Sequence, residues 1–390
     1  MVTFLTQLTR DLESMMQSRW RWFVIVILAF VHCLSLKGLV KERHLPIKTN
    51  LLIGQNLVGR ISPEVDAGIP LLSPWGYDSQ FFWALSLDPL LRNNEIKNSI
   101  DAPPYRSQRI LLPLLTWSAI RDPAKIIYGL WFWNLIGYIL GLIGVYKICL
   151  HFNISYVIPL LFYAFNSGIL ISLVHPMSDI LASGLFFFAL SFWLKNKKIA
   201  AMILFSLACL AREFIAVYIF FIALHQVLIS KKLEFKFIMP LALSCLPMIL
   251  WQIGIRLNLS GWSFNGSVGN FDWPFLGTIK AWIANWFDAR SPKDVIGALC
   301  IHALSVLFIY KGYAKYKSLL WFLVSVSAAL MCLSGKAIME SDWSYMRVSI
   351  LLVTLMTMVI FIDIPSNGLP GHEHLTDKET SKTGLSTPGD

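Results

Sequence analysis

The sequence predicts an all-α, polytopic membrane protein with about ten transmembrane helices (ten or eleven). Three observations carry that prediction. Hydrophobic residues make up 56% of the 390 and charged residues only 14%, whereas ordinary soluble domains carry about 25% charged residues. Apolar runs of roughly 17–25 residues, the length that crosses a bilayer, recur from Trp20 to Ile362. Lysines and arginines bunch in the short breaks between those runs, where they set orientation in a membrane. The formal net charge of +10 is accordingly read as topological, with membrane lipids and not nucleic acid as the surroundings. Disordered, nucleic-acid-binding and small secreted classes are excluded.

The elements follow in chain order. Residues 1–19 form a cytoplasmic N-terminal segment, polar and amphipathic from Thr3 to Arg19, placed inside by Arg10, Arg19 and Arg21. The transmembrane domain spans 20–362 and opens on Trp20–Leu36, a retained anchor with no small-residue cleavage site. Residues 41–125 are outer. Within them Ser73-Pro74-Trp75-Gly76 signals a turn, and Tyr77 to Leu87 reads as a short amphipathic helix stopped by Asp88-Pro89. Residues 109–120, interrupted by Pro113, reach about 18 Å at about 1.5 Å per residue. That is too little for a hydrocarbon core of about 30 Å, so the stretch lies in the outer leaflet.

Crossings follow at 126–148, 154–174 and 177–194. The hairpin 200–211/214–230 carries Arg212-Glu213 at its outer tip, and the last spans are 237–256, 295–310, 319–334 and 347–362. Lys195/Lys197/Lys198, Lys231/Lys232/Lys236 and Lys311/Lys315/Lys317 mark cytoplasmic turns. Outer loop 257–292 holds Trp262, Trp273, Trp282 and Trp286, side chains suited to a membrane interface, and a smaller outer loop covers 335–346. The tail 363–390, rich in Gly, Pro and Thr, reads as disordered.

The six cysteines show neither CxxC nor a pairing pattern, so neither a disulfide framework nor a metal site is expected. No internal repeat and no inverted pair of broken helices is visible, which counts against a transporter. Nucleotide-binding loops and serine-hydrolase motifs are missing from the sequence.

Ionisable groups at membrane depth point to function. Asp78 stands at the start of its helix, as an N-cap, as a proton acceptor, or as both. Arg106 and Arg109, three apart, share a face of any helix beginning near Tyr105 and suit a phosphate; lipid-headgroup contact or pairing with Asp101 is the alternative. His175 and Asp179, four apart after Pro176, share a helix face, although a lone histidine there can be structural. Arg212 and Glu213 are neighbours and need separate partners. Glu340 and Asp342 read as solvated, and Arg347 as snorkelling from a helix end.

Gly76-Tyr77-Asp78-Ser79-Gln80-Phe-Phe-Trp83, Leu87-Asp88-Pro89 and Ala102-Pro-Pro-Tyr105-Arg106-Ser-Gln-Arg109-Ile-Leu-Leu-Pro113 together resemble bacterial integral-membrane glycosyltransferases of the GT-C superfamily. Protein mannosyltransferases and aminoarabinose transferases belong there. The likeness covers roughly residues 20–230 and is strongest over 76–113; His175-Pro-Met-Ser-Asp179 and Leu210-Ala-Arg212-Glu213 match in position and character. The resemblance implies a GT-C-like fold in the bacterial inner membrane. It also implies a polyprenyl-phosphate-linked sugar donor used on the outer face, in cell-envelope glycan formation, with Asp78 as the base for the acceptor. Ser79 and Gln80 stand where the family often has a second acid, which leaves a divalent metal open and no cofactor expected.

With such a donor the leaving group is already an anion, so it needs cations rather than a general acid. Arg106, Arg109, Arg212 and His175 are the candidates to bind the donor phosphate. Tyr77, Gln80, Asp88, Tyr105, Asp179, Glu213 and Arg347 complete the candidate set. The glycan, lipid or protein acceptor is unspecified. A flippase or transporter for a lipid-linked or anionic substrate, or a non-catalytic prenyl-lipid-binding relative, is the alternative.

Overall fold

Residues 4, 6–9, 21, 23–31, 50–54, 76–259, 269–287, 292–339 and 342–362 are described in a computed structural model. Expectations placed on most of 1–19, on Ser73-Pro74-Trp75, Cys33, Trp262, the Trp286 side chain, Glu340 and the tail 363–390 lie outside the described residues.

All named elements among the described residues are helical. Four short helices occupy the polar stretch: α1 (Ser79–Leu87), α2 (Asn94–Ser99), α3 (Pro103–Arg106) and α4 (Leu111–Ala119). The apolar series follows: α5 (Ile126–His151), α6 (Val157–Ala164), α7 (Ser167–Val174), α8 (Asp179–Leu194), α9 (Lys198–Ala211), α10 (Ile215–Ser230) and α11 (Phe235–Leu259). Then come α12 (Leu276–Phe287), α13 (Pro292–Ala314), α14 (Leu319–Cys332), α15 (Lys336–Met339), α16 (Asp342–Val348) and α17 (Ile350–Val359). The stretches Pro123–His151, Val157–Val174, Phe235–Leu259 and Ile296–Ala314 are long and apolar enough to cross a membrane. Five shorter apolar helices, α8, α9, α10, α14 and α17, accompany them.

Apolar surface faces outward as well as inward. On α5 the exposed face carries Tyr128, Phe132, Leu135, Ile139, Ile143 and Tyr146, a stripe at helical spacing that water would penalise and lipid would not. The opposite face carries Gly137, Gly141 and Gly144, buried against α6 and α8. A Cβ on Gly137 would stand 2.6 Å from the Leu181 Cα, and one on Gly184 would collide with the Gly137 carbonyl oxygen. Small residues let the two backbones approach in this way, and the approach fixes where the first residue of α8, Asp179, sits.

Two expected spans are interrupted. The stretch 154–174 breaks at Phe165-Asn166, where the Asn166 side chain caps α7 by accepting from the Gly168 amide at 2.9 Å. The stretch 347–362 breaks at Ser349, between α16 and α17. The two interrupted segments pack on one another, α7 against α16 and α6 against α17. This corrects the sequence reading of 154–174 and 347–362 as continuous spans. The uniform apolarity of both runs hid the breaks.

The molecule has two chemically distinct ends. At one, Lys198 Nζ donates to the Lys236 carbonyl at 3.3 Å, and the His225 ring lies 3.3 Å from the Lys317 carbonyl, so the three lysine-rich turns come together. At the other, reached along α8, α9 and α10, lie Asp179, Arg212 and Glu213.

Candidate functional site

The start of α1 is pinned by the segment 50–54. Tyr77 N–H donates to the Leu52 carbonyl at 2.9 Å, Ser79 Oγ to the Leu51 carbonyl at 2.6 Å, and Gly54 N–H to Gln80 Oε1 at 2.9 Å. Gly76 precedes them at φ +68, where a Cβ would stand 2.6 Å from the Gly54 nitrogen, so only glycine fits. Gln80 is therefore a buried strut.

Asp78 occupies the N-cap position, but its side chain makes no cap hydrogen bond. Its two oxygens go to different guanidiniums: Oδ1 accepts from Arg106 Nη1 at 2.9 Å, and Oδ2 from Arg347 Nη2 at 3.1 Å. The capping alternative falls, because charged donors from 28 and 269 residues away outcompete the helix amides.

The pairs continue into a chain of alternating charge. Arg106 forks onto Asp101 through Nε (2.9 Å) and Nη2 (2.8 Å). Arg347 Nη1 lies 3.6 Å from Asp179 Oδ2, and Asp179 Oδ1 pairs with Arg212. Side-chain exposure falls along this chain, from 52% at Asp101 through 26% at Asp78 to 3% at Asp179, so it runs from the surface into the protein. Beside it, Arg109 forks onto Glu213 (Nε to Oε2 3.1 Å, Nη2 to Oε1 3.0 Å) and donates to the Tyr105 hydroxyl at 3.0 Å. Tyr105 also accepts from Asn270 at 3.0 Å, and Gln108 donates to Glu213 at 3.3 Å.

The electrostatics follow from these contacts. Burial would raise the Asp78 carboxyl, but Arg106, Arg347 and Arg109 outweigh it and hold the group well below the usual carboxylate range. Burial would likewise raise Glu213, and Arg109 brings it down. Burial would lower the Arg109 guanidinium, yet Glu213 and Tyr105 keep it above its ordinary value. Asp78, Glu213 and Arg109 are therefore charged at neutral pH.

Several expectations are corrected. Arg106 and Arg109 do not share a helix, since α3 ends at Arg106; each instead forks onto a carboxylate. His175 and Asp179 do not share one either: α7 closes at His175, and Pro176-Met177-Ser178 form the turn before α8. His175 is fully buried, its Nδ1 lies 2.8 Å from the Asn50 carbonyl, and its ring meets Tyr77 edge-on. Burial pushes its imidazole down to about 4, so it is neutral at pH 7, and it does not line the cavity beside the cluster. Arg347 does not snorkel: its side chain is 8% exposed and turned inward, under the Tyr77 ring at 5.2 Å. Asp88 stands apart and closes a turn, accepting from the Leu90 and Asn93 amides at 3.2 and 2.7 Å. Arg212 and Glu213 do take separate partners.

A cavity of about 390 Å³ opens beside the cluster. Arg109, Asp179, Arg212, Glu213 and Arg347 line one end, and Ile215, Tyr218, Met248, Leu330, Met331 and Leu351 line the rest. Asp78, Arg106 and Asp101 do not line it; Arg347 stands between them and the cavity. Asn270 and Gln108 also join the site. Neither carries a sequence signal, being neutral polar residues in ordinary loop positions. Among the described residues no three His, Cys, Asp or Glu side chains converge as a metal site.

No protein-family model, curated protein or solved structure matches the chain. A buried ion pair is often no more stabilising than apolar residues of the same volume. A cluster of four acids and four arginines, five of them lining one end of a largely apolar cavity, is thus not accounted for by stability alone. The lining offers guanidinium donors and two carboxylates at one end and apolar side chains over the rest.

Proposed function

We propose that the protein is an integral-membrane glycosyltransferase of the GT-C kind. It moves a sugar from a polyprenyl-phosphate donor to an acceptor hydroxyl or amine on the extracytoplasmic side of the bacterial inner membrane, with inversion. The observation that carries this reading is the two-part cavity, apolar over most of its wall and lined at one end by three arginines, Arg109, Arg212 and Arg347, with two carboxylates, Asp179 and Glu213. Its volume falls in the range of about 300–1,000 Å³ typical of small-molecule sites.

Glycosyl transfer develops positive charge on the sugar and negative charge on the departing phosphate. Arg109 and Arg212, placed beforehand, stabilise that phosphate with little reorganisation, and Arg347 faces the same end of the cavity. The acceptor enters from the exposed Asp101 side, and Asp78, lying between that surface and Arg347, takes its proton. With one carboxylate acting and no covalent intermediate, a single displacement inverts the anomeric carbon. The chain crosses about ten times in this reading, with the lysine-rich end cytoplasmic.

One observation favours the alternative of lipid-anion transport. The interrupted pair α6/α7 and α16/α17 has the broken-helix character of transporter sites. Proteoliposomes separate the two. Lipids that co-purify with the protein are identified by mass spectrometry, and the sugar-bearing polyprenyl phosphate among them is supplied with extracts containing candidate acceptors. Release of sugar-free polyprenyl phosphate, dependent on Asp78, is expected; movement of the intact lipid across the bilayer without release would establish transport instead.

A further inference from the structure

Arg347 faces two ways. Through Nη2 it holds Asp78 Oδ2 at 3.1 Å, and it also lines the cavity. Its Nη1 donates to the Met177 thioether at 2.7 Å and stands 3.6 Å from Asp179, which also lines the cavity. A thioether is a weak acceptor and 3.6 Å is beyond hydrogen-bonding reach. A phosphate arriving in the cavity accepts the guanidinium fork far better than either.

Asp78 is, in this arrangement, a masked base. Both oxygens accept from guanidiniums, which leaves an incoming hydroxyl facing a carboxylate whose basicity those cations have lowered. The two masks are unequal. Arg106 is clamped by its bidentate fork onto Asp101 and by stacking over the Phe81 ring at 4.0 Å. Arg347, held besides by the Met177 thioether at 2.7 Å and the Tyr77 ring at 5.2 Å, meets its second carboxylate, Asp179, at 3.6 Å rather than through a fork, so of the two it is the partner that can leave. Its backbone cannot follow, because α16 is wedged on α7: a Cβ on Gly168 would stand 2.9 Å from the Arg347 Cα. The motion is confined to the side chain. The other charged or titratable groups facing Asp78 are Arg109, Tyr77 and His175, with Asp101 and Asp179 one guanidinium further on.

Resting on the glycosyltransferase reading, we infer that Arg347 is a positioning residue which the donor's phosphate draws off Asp78, so that the base is uncovered only when the donor is seated. Ion pair is exchanged for ion pair, so the switch needs no net loss of charge pairing. It also prevents the base from activating water at an empty site.

Removing the charge of the candidate base should then tighten binding of the donor's anion. The probe is a C55 polyprenyl monophosphate, without sugar, titrated into the full-length protein in lipid nanodiscs, with the neutral C55 polyprenol as control. Asp78→Asn frees Arg347 from a competing carboxylate and should bind the probe about tenfold more tightly than wild type, the scale of one charge-assisted hydrogen bond. Asp78→Ser, smaller and equally neutral, should do the same if the asparagine variant folds poorly. Arg347→Gln should bind at least about tenfold more weakly, and adding Asp78→Asn to it should change nothing. A merely structural Asp78–Arg347 strut predicts weaker or equal binding in both Asp78 variants. That outcome, with wild type binding the phosphate better than the polyprenol, overturns the switch and leaves the glycosyltransferase reading standing. Wild type that does not distinguish phosphate from polyprenol overturns both.

Discussion

Asp78 joins three segments far apart in sequence by accepting from Arg106 and Arg347 at once. If it is the base, Asp78→Asn should lower transfer by about 10²–10⁴ while the protein still expresses and folds, and Asp78→Glu should recover little, because the longer arm misplaces the oxygen. Asp88→Asn is the control: Asp88 serves the Leu90 and Asn93 amides, so it should cost at most about 1 kcal/mol of stability and leave transfer intact. Titration separates the buried groups further. His175 is neutral in the fold, held at about 4 by burial, whereas an unfolded imidazole titrates near 6.5. The unfolded chain therefore takes up the proton first, and stability falls as pH drops from about 6.5 towards 4. Asp78 and Glu213 have depressed folded-state values; the stability they contribute is full above about pH 4 and drains below it. Thermal unfolding between pH 7 and 3 should show a shallower upper limb in His175→Gln and a shallower lower limb in Asp78→Asn; unchanged limbs would contradict these assignments. The members of the site were legible in the sequence because charge is conspicuous in so apolar a chain. One pairing was legible too, Arg106 with Asp101 five residues away; the others were not, since Arg109 and Glu213 lie 104 residues apart and Asp78 and Arg347 lie 269 apart, beyond any local rule.

At the scale of the elements, the crossing of α5 and α8 decides where Asp179 presents its carboxylate. Gly184 touches the Gly137 carbonyl so closely that even a methyl group must push the backbones apart. Gly184→Ala should therefore destabilise by about 1–3 kcal/mol, as overpacking does, and should weaken binding of a polyprenyl phosphate by shifting Asp179 and its partner Arg212. On α11 a Cβ added to Gly254 would meet nothing within 4 Å, and alanine there should be neutral or slightly stabilising by helix propensity. Equal melting temperatures for the two alanine variants would refute the packing argument. Helix existence and order could be read from apolar run length, and the stop at Asp88-Pro89 from turn chemistry. The reading of His175 and Asp179 as one face failed because the spacing rule presumes an unbroken helix. Pro176 disfavours helical backbone at the residue before it, and that local signal outweighs the four-residue spacing.

The whole molecule segregates its charge, with three lysine-rich turns at one end and the acid–arginine cluster at the other. Orientation should follow the lysines, which stay cytoplasmic. In a cysteine-free background, a membrane-impermeant thiol reagent should label Asn94→Cys in intact cells and reach Lys317→Cys only after the cells are opened; both positions are exposed. The reverse pattern would overturn the orientation. Whether 109–120 crosses turns on α4, which has nine residues and spans about 14 Å at about 1.5 Å per residue, less than half of a hydrocarbon core of about 30 Å. It packs on α1 and α5, and Pro113 falls in its first turn, where the missing N–H has no intrahelical partner to lose. A helix so short cannot carry the chain across. Asn94 and Ala124, one on each side of α4 and both exposed, must then lie on the same face of the membrane. Ala124→Cys should be labelled in intact cells as readily as Asn94→Cys, as the ten-crossing reading requires. Labelling of Asn94→Cys alone would mean that 109–120 crosses after all, making eleven and placing Arg106 and Asp179 on opposite sides of the bilayer, where Arg347 could not bridge Asp78 and Asp179.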